Sequence, residues 1–191
     1  MIGDLDPDFL RDHHERGLDF NAYLATDPDR SDAWREIHHR ISLTGDQQRL
    51  VAGFTRRMPV IVISGTWCGD CVQQGPLLER IAEASPCIDL RWLDRDEHAT
   101  ISARVRINGG SRVPVVIFMS DDFQAVSIFG DRTLSRYRAI AARHLGPSCP
   151  LPGAPVATDE LEATLTDWLD EFERVQLLLR LSPRLRRIHQ D

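Results

Sequence analysis

The chain has 191 residues, 42% of them hydrophobic and 27% charged, with a formal net charge of -6. That length admits one domain with a sizeable core, or one domain carrying a helical appendage. The mildly acidic balance, with no basic cluster before the last residues, argues against nucleic acid as a partner, and apolar runs no longer than a strand argue against a membrane span. The opening MIGDLDPDFL is acidic and lacks a long apolar run, so no secretory signal is expected. Four cysteines in a chain this size do not make a disulfide scaffold; a cytoplasmic setting with a catalytic pair is expected.

Residues 1–57 read as an N-terminal helical extension packed on the core. Asp6-Pro7 has the form of a helix cap followed by proline at the first helical position, and Asp19 caps a short helix through Tyr23 and Leu24. Asp27-Pro28-Asp29 reads as a turn, after which Ser31 or Asp32 caps a helix burying Trp34, Ile37 and Ile41. Thr44 to Asp46 breaks it, and a further helix over 47–57 is expected to bury Leu50, Val51 and Phe54. The pairs His13-His14 and His38-His39 do not suit a metal, because adjacent helical residues point about 100° apart. Solvated helix faces are expected there.

Residues 58–145 carry the chemistry. Val60 to Ile63 is a β-branched run between Pro59 and Ser64-Gly65-Thr66, the pattern of a strand buried on both faces. It empties into Trp67-Cys68-Gly69-Asp70-Cys71 and then a helix over 72–84 with Pro76 inside it. This places Cys68 where unpaired N–H groups and the helix dipole favour a thiolate, with Cys71 nearly one turn behind. Cys68 is therefore the expected attacking sulfur and Cys71 the expected resolving one. A zinc half-site would need a second pair at ligand spacing, and the remaining Cys87 and Cys149 are far apart, so no metal is expected.

Cys87 to Leu93 reads as the second strand, with Cys87 a packed small hydrophobe. Asp94 to Glu97 opens a helix expected to run to about Ile107, stopped by Asn108-Gly109-Gly110 in left-handed conformation. Val115 to Met119 is an apolar strand directly after Pro114, a position that suits a cis Val113-Pro114 bond. Asp121-Asp122 turns the chain into an antiparallel strand over 123–129, and a final core helix over 132–145 carries Leu134, Tyr137, Ile140, Ala141 and Leu145. The order is β-α-β-α-β-β-α, an α/β mixed sheet with helices on both faces.

Residues 146–157 form a proline-rich linker in which Cys149 is expected to be free, and residues 158–191 a C-terminal helix and basic tail. Thr158 is the expected cap, and Leu161, Leu165, Trp168, Leu169, Phe172 and Val175 form the buried stripe. The basic end, Arg180 to Arg187, reads as a solvated terminus.

The strand-end Trp67-Cys68-Gly69-Asp70-Cys71, Pro76, Val113-Pro114 and Gly130 together resemble the thioredoxin superfamily. The WCGD, Arg95 to Glu97 and Asn108 to Pro114 segments resemble a bacterial thioredoxin-like branch with helical additions at both ends. The resemblance is specific over 59–145 and general elsewhere. It implies a thioredoxin-like fold, Cys68 as nucleophile, Cys71 as resolving thiol, Trp67 beside the sulfurs and Pro114 as a cis proline facing them. Backbone at Arg112 or Val113 would then bind an extended substrate peptide.

Two departures stand out: Asp70 replaces the usual proline before the second cysteine, and Val62 replaces a buried aspartate. Asp70 places negative charge near both sulfurs and is expected to make Cys68 less acidic than the helix dipole alone would. The resulting expectation is a thiol-disulfide oxidoreductase with no bound cofactor, acting on protein or small-molecule disulfides and supplied by a reductase. The alternative is a protein-binding module in which the Trp67/Pro114 face and the added helices recruit a partner, the cysteines being regulatory or vestigial. A peroxidase reading lacks the proline-and-threonine loop such sites place before their cysteine.

Overall fold

The computed structural model describes residues 5–145 and 156–191. At its centre lies β1 (Met58–Ser64), every residue of which is buried. Parallel to it runs β2 (Ile88–Asp94), and β3 (Val115–Met119) lies antiparallel on its other side; β4 (Ala125–Gly130) completes the order β2-β1-β3-β4. Val60, Ile61 and Val62 are fully buried, each such side chain worth ~1.5–3 kcal/mol over its exposed state. The apolar run therefore dictates a central strand, as expected.

Between β1 and β2 runs α5 (Gly69–Ala82), with Pro76 inside it, and between β2 and β3 the short α6 (Ala99–Ser102). After β4 comes α7 (Leu134–His144), which completes the β-α-β-α-β-β-α order. A helix over 94–107 does not form. Asp94 Oδ1 accepts the N–H groups of Asp96 and Glu97, closing a turn that competes with a helical start. Asn108 and Gly109 adopt positive φ (49° and 73°), as the sequence suggested.

Before β1 come α1 (Pro7–Arg16), α2 (Phe20–Ala25), α3 (Pro28–Arg40) and α4 (Gly45–Ala52). Asp6 and Asp19 cap α1 and α2 through Phe9 and Ala22 N–H groups. Residues 27–29 are the start of α3 rather than a turn: Pro28 sits in its first turn with its φ already helical, and the Ser31 hydroxyl donates back to Pro28 O instead of capping. Thr44 begins α4 with a reciprocal capping box to Gln47, so the helix starts and ends earlier than expected, leaving Leu50 exposed while Val51 and Phe54 are buried.

His13 and His14 are buried, not solvated. His13 bonds Phe9 O (2.8 Å) and Thr100 Oγ1 (3.2 Å), and His14 bonds Asp89 O (2.9 Å), so each meets protein groups in a different direction. Burial holds the His14 imidazole below its ordinary pKa.

C-terminal to these elements, α8 (Glu160–Leu181) is followed by α9 (Pro183–His189). The cap of α8 is Asp159, which accepts the Leu161 and Glu162 N–H groups; Thr158 lies one residue too early. The expected stripe is buried, with Phe172 edge-on to Phe118 (5.0 Å) and Trp168 edge-on to Phe129 (4.9 Å). Because α8 covers the β3–β4 face, α7 rests on α8 and is not a core helix: Leu134, Tyr137 and Leu145 are exposed and only Ala139 is buried. The basic end is not simply solvated, since Arg184 pairs with Asp122 and His189 with Asp121 (2.6 Å). The linker over 146–157, Cys149 included, falls almost wholly outside the described residues.

Candidate active site

The chain leaves β1 at Ser64, turns through Gly65 and Thr66, and enters α5 with Cys68 as its N-cap. Cys68 keeps extended backbone (φ -86°, ψ 119°), and no side chain caps the helix. The first N–H groups of α5 are thus left for the Cys68 sulfur. Gly69 faces open space: a Cβ there would meet nothing within 4 Å.

Cys68 and Cys71 are both free thiols, Cys68 half-buried and Cys71 fully buried. The Cys71 S–H hydrogen bond, followed by the N–H groups of Cys71 and Asp70, pulls Cys68 down to about 6 against the opposing effects of burial and the Asp70 charge. Cys71 moves the other way. Burial, and then the neighbouring Cys68, push it well above the ordinary thiol value, while Ser64 and the Gly65 N–H oppose the rise. The two environments separate one acidic, reachable thiol from one protonated, enclosed thiol.

Across from Cys68 lies the loop before β3. The Val113-Pro114 bond is cis, and the Cys68 thiol reaches Val113 O at 3.6 Å. Val113 and Pro114 are buried, whereas Arg112 is exposed and pairs with Asp131 (2.9 Å). Gly130 lets β4 approach this loop, because a Cβ there would lie 2.5 Å from Pro114 O. Trp67 is 44% exposed, lies against Gly65 and carries the Arg95 guanidinium 4.4 Å from its ring.

Asp70 does raise Cys68, as expected, but this is the smallest of the named influences, and the net shift is downward. The Cys71 hydrogen bond and the N–H groups of Cys71 and Asp70 outweigh its charge, and its carboxylate is itself held by Arg132 (2.5 Å) and Arg136 (3.1 Å). Arg136 also pairs with Glu160, which ties the site to α8.

Sequence reasoning gathered Trp67, Cys68, Gly69, Asp70, Cys71, Arg112, Val113 and Pro114, and the fold brings all eight to one end of the sheet. It missed the brace behind them. Thr66 donates to Asp27 Oδ2 (2.7 Å), and Trp34 Nε1 donates to Thr66 O (3.3 Å), so α3 holds the loop that carries Trp67. Trp34 in turn occupies a notch at Gly75, where any Cβ would collide with its ring. It also missed Tyr23 and Ser64, buried beneath Cys71; an aromatic on an amphipathic helix and a serine at a strand end give no signal of that placement. Among the described residues, no cluster of three or more His, Cys, Asp or Glu is placed to hold a metal ion.

An acidic thiol at a helix start, a buried partner one turn behind and a cis proline opposite, on a mixed sheet of this order, define a protein of the thioredoxin-fold class. A family model described as Thioredoxin matches residues 17–141, and the chain belongs to the thioredoxin family. Thioredoxin-1 of Saccharomyces cerevisiae is 27% identical over 86 residues, which is 45% of this chain and 81% of that one. Thioredoxin H-type 1 of Nicotiana tabacum is 26% identical over 94 residues, 49% of this chain and 71% of that one. The solved structure of a protein of unknown function, PA1234 from Pseudomonas aeruginosa, shares the fold with a TM-score of 0.63 at 21% identity, over 84% of this chain and 95% of that one.

Proposed function

We propose that the chain is a thiol-disulfide oxidoreductase that reduces protein or small-molecule disulfides through Cys68 and Cys71. The observation that carries this reading is the placement of the two sulfurs: Cys68 half-buried at the start of α5, 3.6 Å from Val113 O beside the cis Val113-Pro114 bond, and Cys71 fully buried one turn behind, an arrangement that lowers Cys68 to about 6 and raises Cys71. The Cys68 thiolate attacks a substrate disulfide R–S–S–R′, forms the bond from Cys68 Sγ to one substrate sulfur and expels the other as a thiolate. Cys71 then attacks Cys68 Sγ, closing the Cys68–Cys71 disulfide and releasing the second substrate thiol. The substrate gains two electrons and the dithiol loses two; a partner reductase restores them.

In this reading Trp67 and the Arg112-Val113-Pro114 loop form the substrate platform, supported by the nearness of Val113 O to the nucleophile. Gly69 keeps the helix entrance clear, and Asp70, held by two arginines, tunes Cys68 without dominating it. The cycle needs no bound cofactor. We place the protein in the cytoplasm, in a bacterial thioredoxin-like branch marked by WCGDC, with 58–145 as the redox domain and 1–57, 146–157 and 158–191 as extension, linker and C-terminal helix. No described helix is long and apolar enough to cross a membrane.

The exposed Trp67 favours a second reading, a protein-binding module. Insulin reduction with dithiothreitol separates the two. Turnover that disappears in Cys68→Ser supports the oxidoreductase; no turnover, with Trp67 fluorescence responding to a bound partner, supports the module.

A further inference from the structure

Two buried hydroxyls stand behind Cys71 and have no part in the exchange described above. Ser64, the last residue of β1, is 0% exposed, and Tyr23 of α2 is 1% exposed. Neither oxygen makes a well-formed hydrogen bond to a described group. A buried hydroxyl without a partner costs about 1–3 kcal/mol, so two of them together point to a partner that arises only during function.

Their neighbour is the resolving sulfur. Ser64 Oγ lies within polar reach of both the Tyr23 hydroxyl and Cys71 Sγ, and the Gly65 N–H acts on the same sulfur. Tyr23 is fixed in place: its ring stacks on Trp92 at 5.5 Å and meets Trp34 edge-on at 5.9 Å. Trp34 is itself locked into the Gly75 notch of α5, about one turn beyond Cys71.

Building on the disulfide-exchange reading, we propose that Ser64 and Tyr23 form a hydroxyl pair that stabilises the Cys71 thiolate during resolution of the mixed disulfide, Ser64 touching the sulfur and Tyr23 positioning Ser64. As Cys71 ionises, the Ser64 O–H turns to donate to Cys71 Sγ and the Tyr23 O–H turns to donate to Ser64 Oγ, bonds that neither hydroxyl makes in the resting dithiol. The Cys71 thiolate attacks Cys68 Sγ; the Cys68–Cys71 bond forms and the bond from Cys68 Sγ to the substrate sulfur breaks. The proton that Cys71 released passes to the departing sulfur, or to solvent where the leaving thiolate is too weakly basic to hold it, as with an aromatic thiolate. Tyr23 acts as a donor and not as a base, because burial pushes its hydroxyl up and keeps it protonated.

The groups that face the pair support this assignment. Cys68 on α5 and Asp94 at the end of β2 place negative charge toward Tyr23 and oppose its ionisation. Once Cys68 is tied up in a mixed disulfide it carries no charge, so burial is what chiefly resists ionisation of Cys71. The Ser64 hydroxyl and the Gly65 N–H are the groups that counter it. The N-terminal extension would thus reach through the sheet end to act on the chemistry, beyond bracing it.

The test uses the full chain with Cys87→Ser and Cys149→Ser, mixed with one equivalent of the aromatic disulfide DTNB, whose thiolate product is coloured. Attack by Cys68 releases the first coloured thiolate, and closure by Cys71 releases the second. Tyr23→Phe keeps the stacked ring and removes only the hydroxyl; Ser64→Ala removes the direct donor. The expected result is an unchanged first phase and a second phase slowed about ten-fold or more in Ser64→Ala, less in Tyr23→Phe, with the second-phase pH profile displaced upward. An unchanged second phase in both variants overturns the proposal, as does slowing of both phases together with no displaced profile. If the parent protein releases no coloured thiolate, the disulfide-exchange reading itself fails and this inference falls with it.

Discussion

Replacing Cys71 with alanine removes the largest influence that keeps Cys68 acidic, the hydrogen bond between the two sulfurs. A hydrogen bond to a charged acceptor is worth about 1.5–3 kcal/mol, and one pH unit in a midpoint corresponds to about 1.4 kcal/mol. The Cys68 midpoint of about 6 therefore rises to roughly 7–8 in Cys71→Ala, with the Asp70 and Cys71 N–H groups still in place. At about pH 6, half of the parent Cys68 is thiolate, against roughly 3% for a midpoint near 7.5, a fall of about fifteen-fold in the reactive fraction. The assay is the pH dependence of iodoacetamide alkylation, with Cys68 followed by peptide mass mapping and thiolate absorbance read in parallel. A Cys68 midpoint in Cys71→Ala that stays at the parent value or drops below it refutes the reasoning, because the helix start alone would then account for the acidity.

Further perturbations follow from the same geometry. Asp70→Asn removes the negative charge that raises Cys68 and frees Arg132 and Arg136, so the Cys68 midpoint falls; thiolate absorbance against pH checks this, and a rise contradicts it. Glu79 donates no charge readily: burial pushes its carboxyl from 4.5 up to about 7, although it accepts the Trp92 Nε1–H. Because the folded state binds this proton more tightly than the unfolded one, Glu79 costs stability as pH rises from about 4.5 to about 7. Glu79→Gln accordingly stabilises the fold at about pH 8 by up to ~3 kcal/mol and changes little near pH 4, as read from urea unfolding at the two pH values. Gly75→Ala drives a methyl into the Trp34 ring and destabilises by about 1–3 kcal/mol, lowering the Tm; an unaltered Tm would mean that Trp34 is not fixed in the notch.

The sheet and the thiol pair were legible because their signals are local. An unbroken β-branched run names β1, two residues between cysteines place both sulfurs on the first turn of α5, and Pro114 before an apolar run marks the facing loop. Where the sequence misled, a competing interaction decided the outcome. Asp94 spends its carboxylate on a turn, which ends the expected helix before it begins. Helical spacing made α7 look like a core helix, but spacing cannot say which of two amphipathic helices takes a sheet face, and the aromatic stripe of α8 takes it. His13 and His14 read as surface because histidine usually is; their burial depends on partners at Thr100 and Asp89, far away in the chain. The same distance hid the contribution of Asp27, Tyr23 and Trp34 to a site more than thirty residues on.

The central claim is that Cys68 and Cys71 exchange a disulfide between them and a substrate. Its most direct measurement is intact-mass and peptide analysis of the protein equilibrated in glutathione buffers of graded ratio and quenched by acid and alkylation. The account predicts a reversible loss of two hydrogens confined to the Cys68–Cys71 pair, with glutathione trapped on Cys68 when Cys71→Ser is used. Both cysteines remaining alkylatable at every ratio, or glutathione persisting on Cys68 of the unaltered protein without closure, would contradict it.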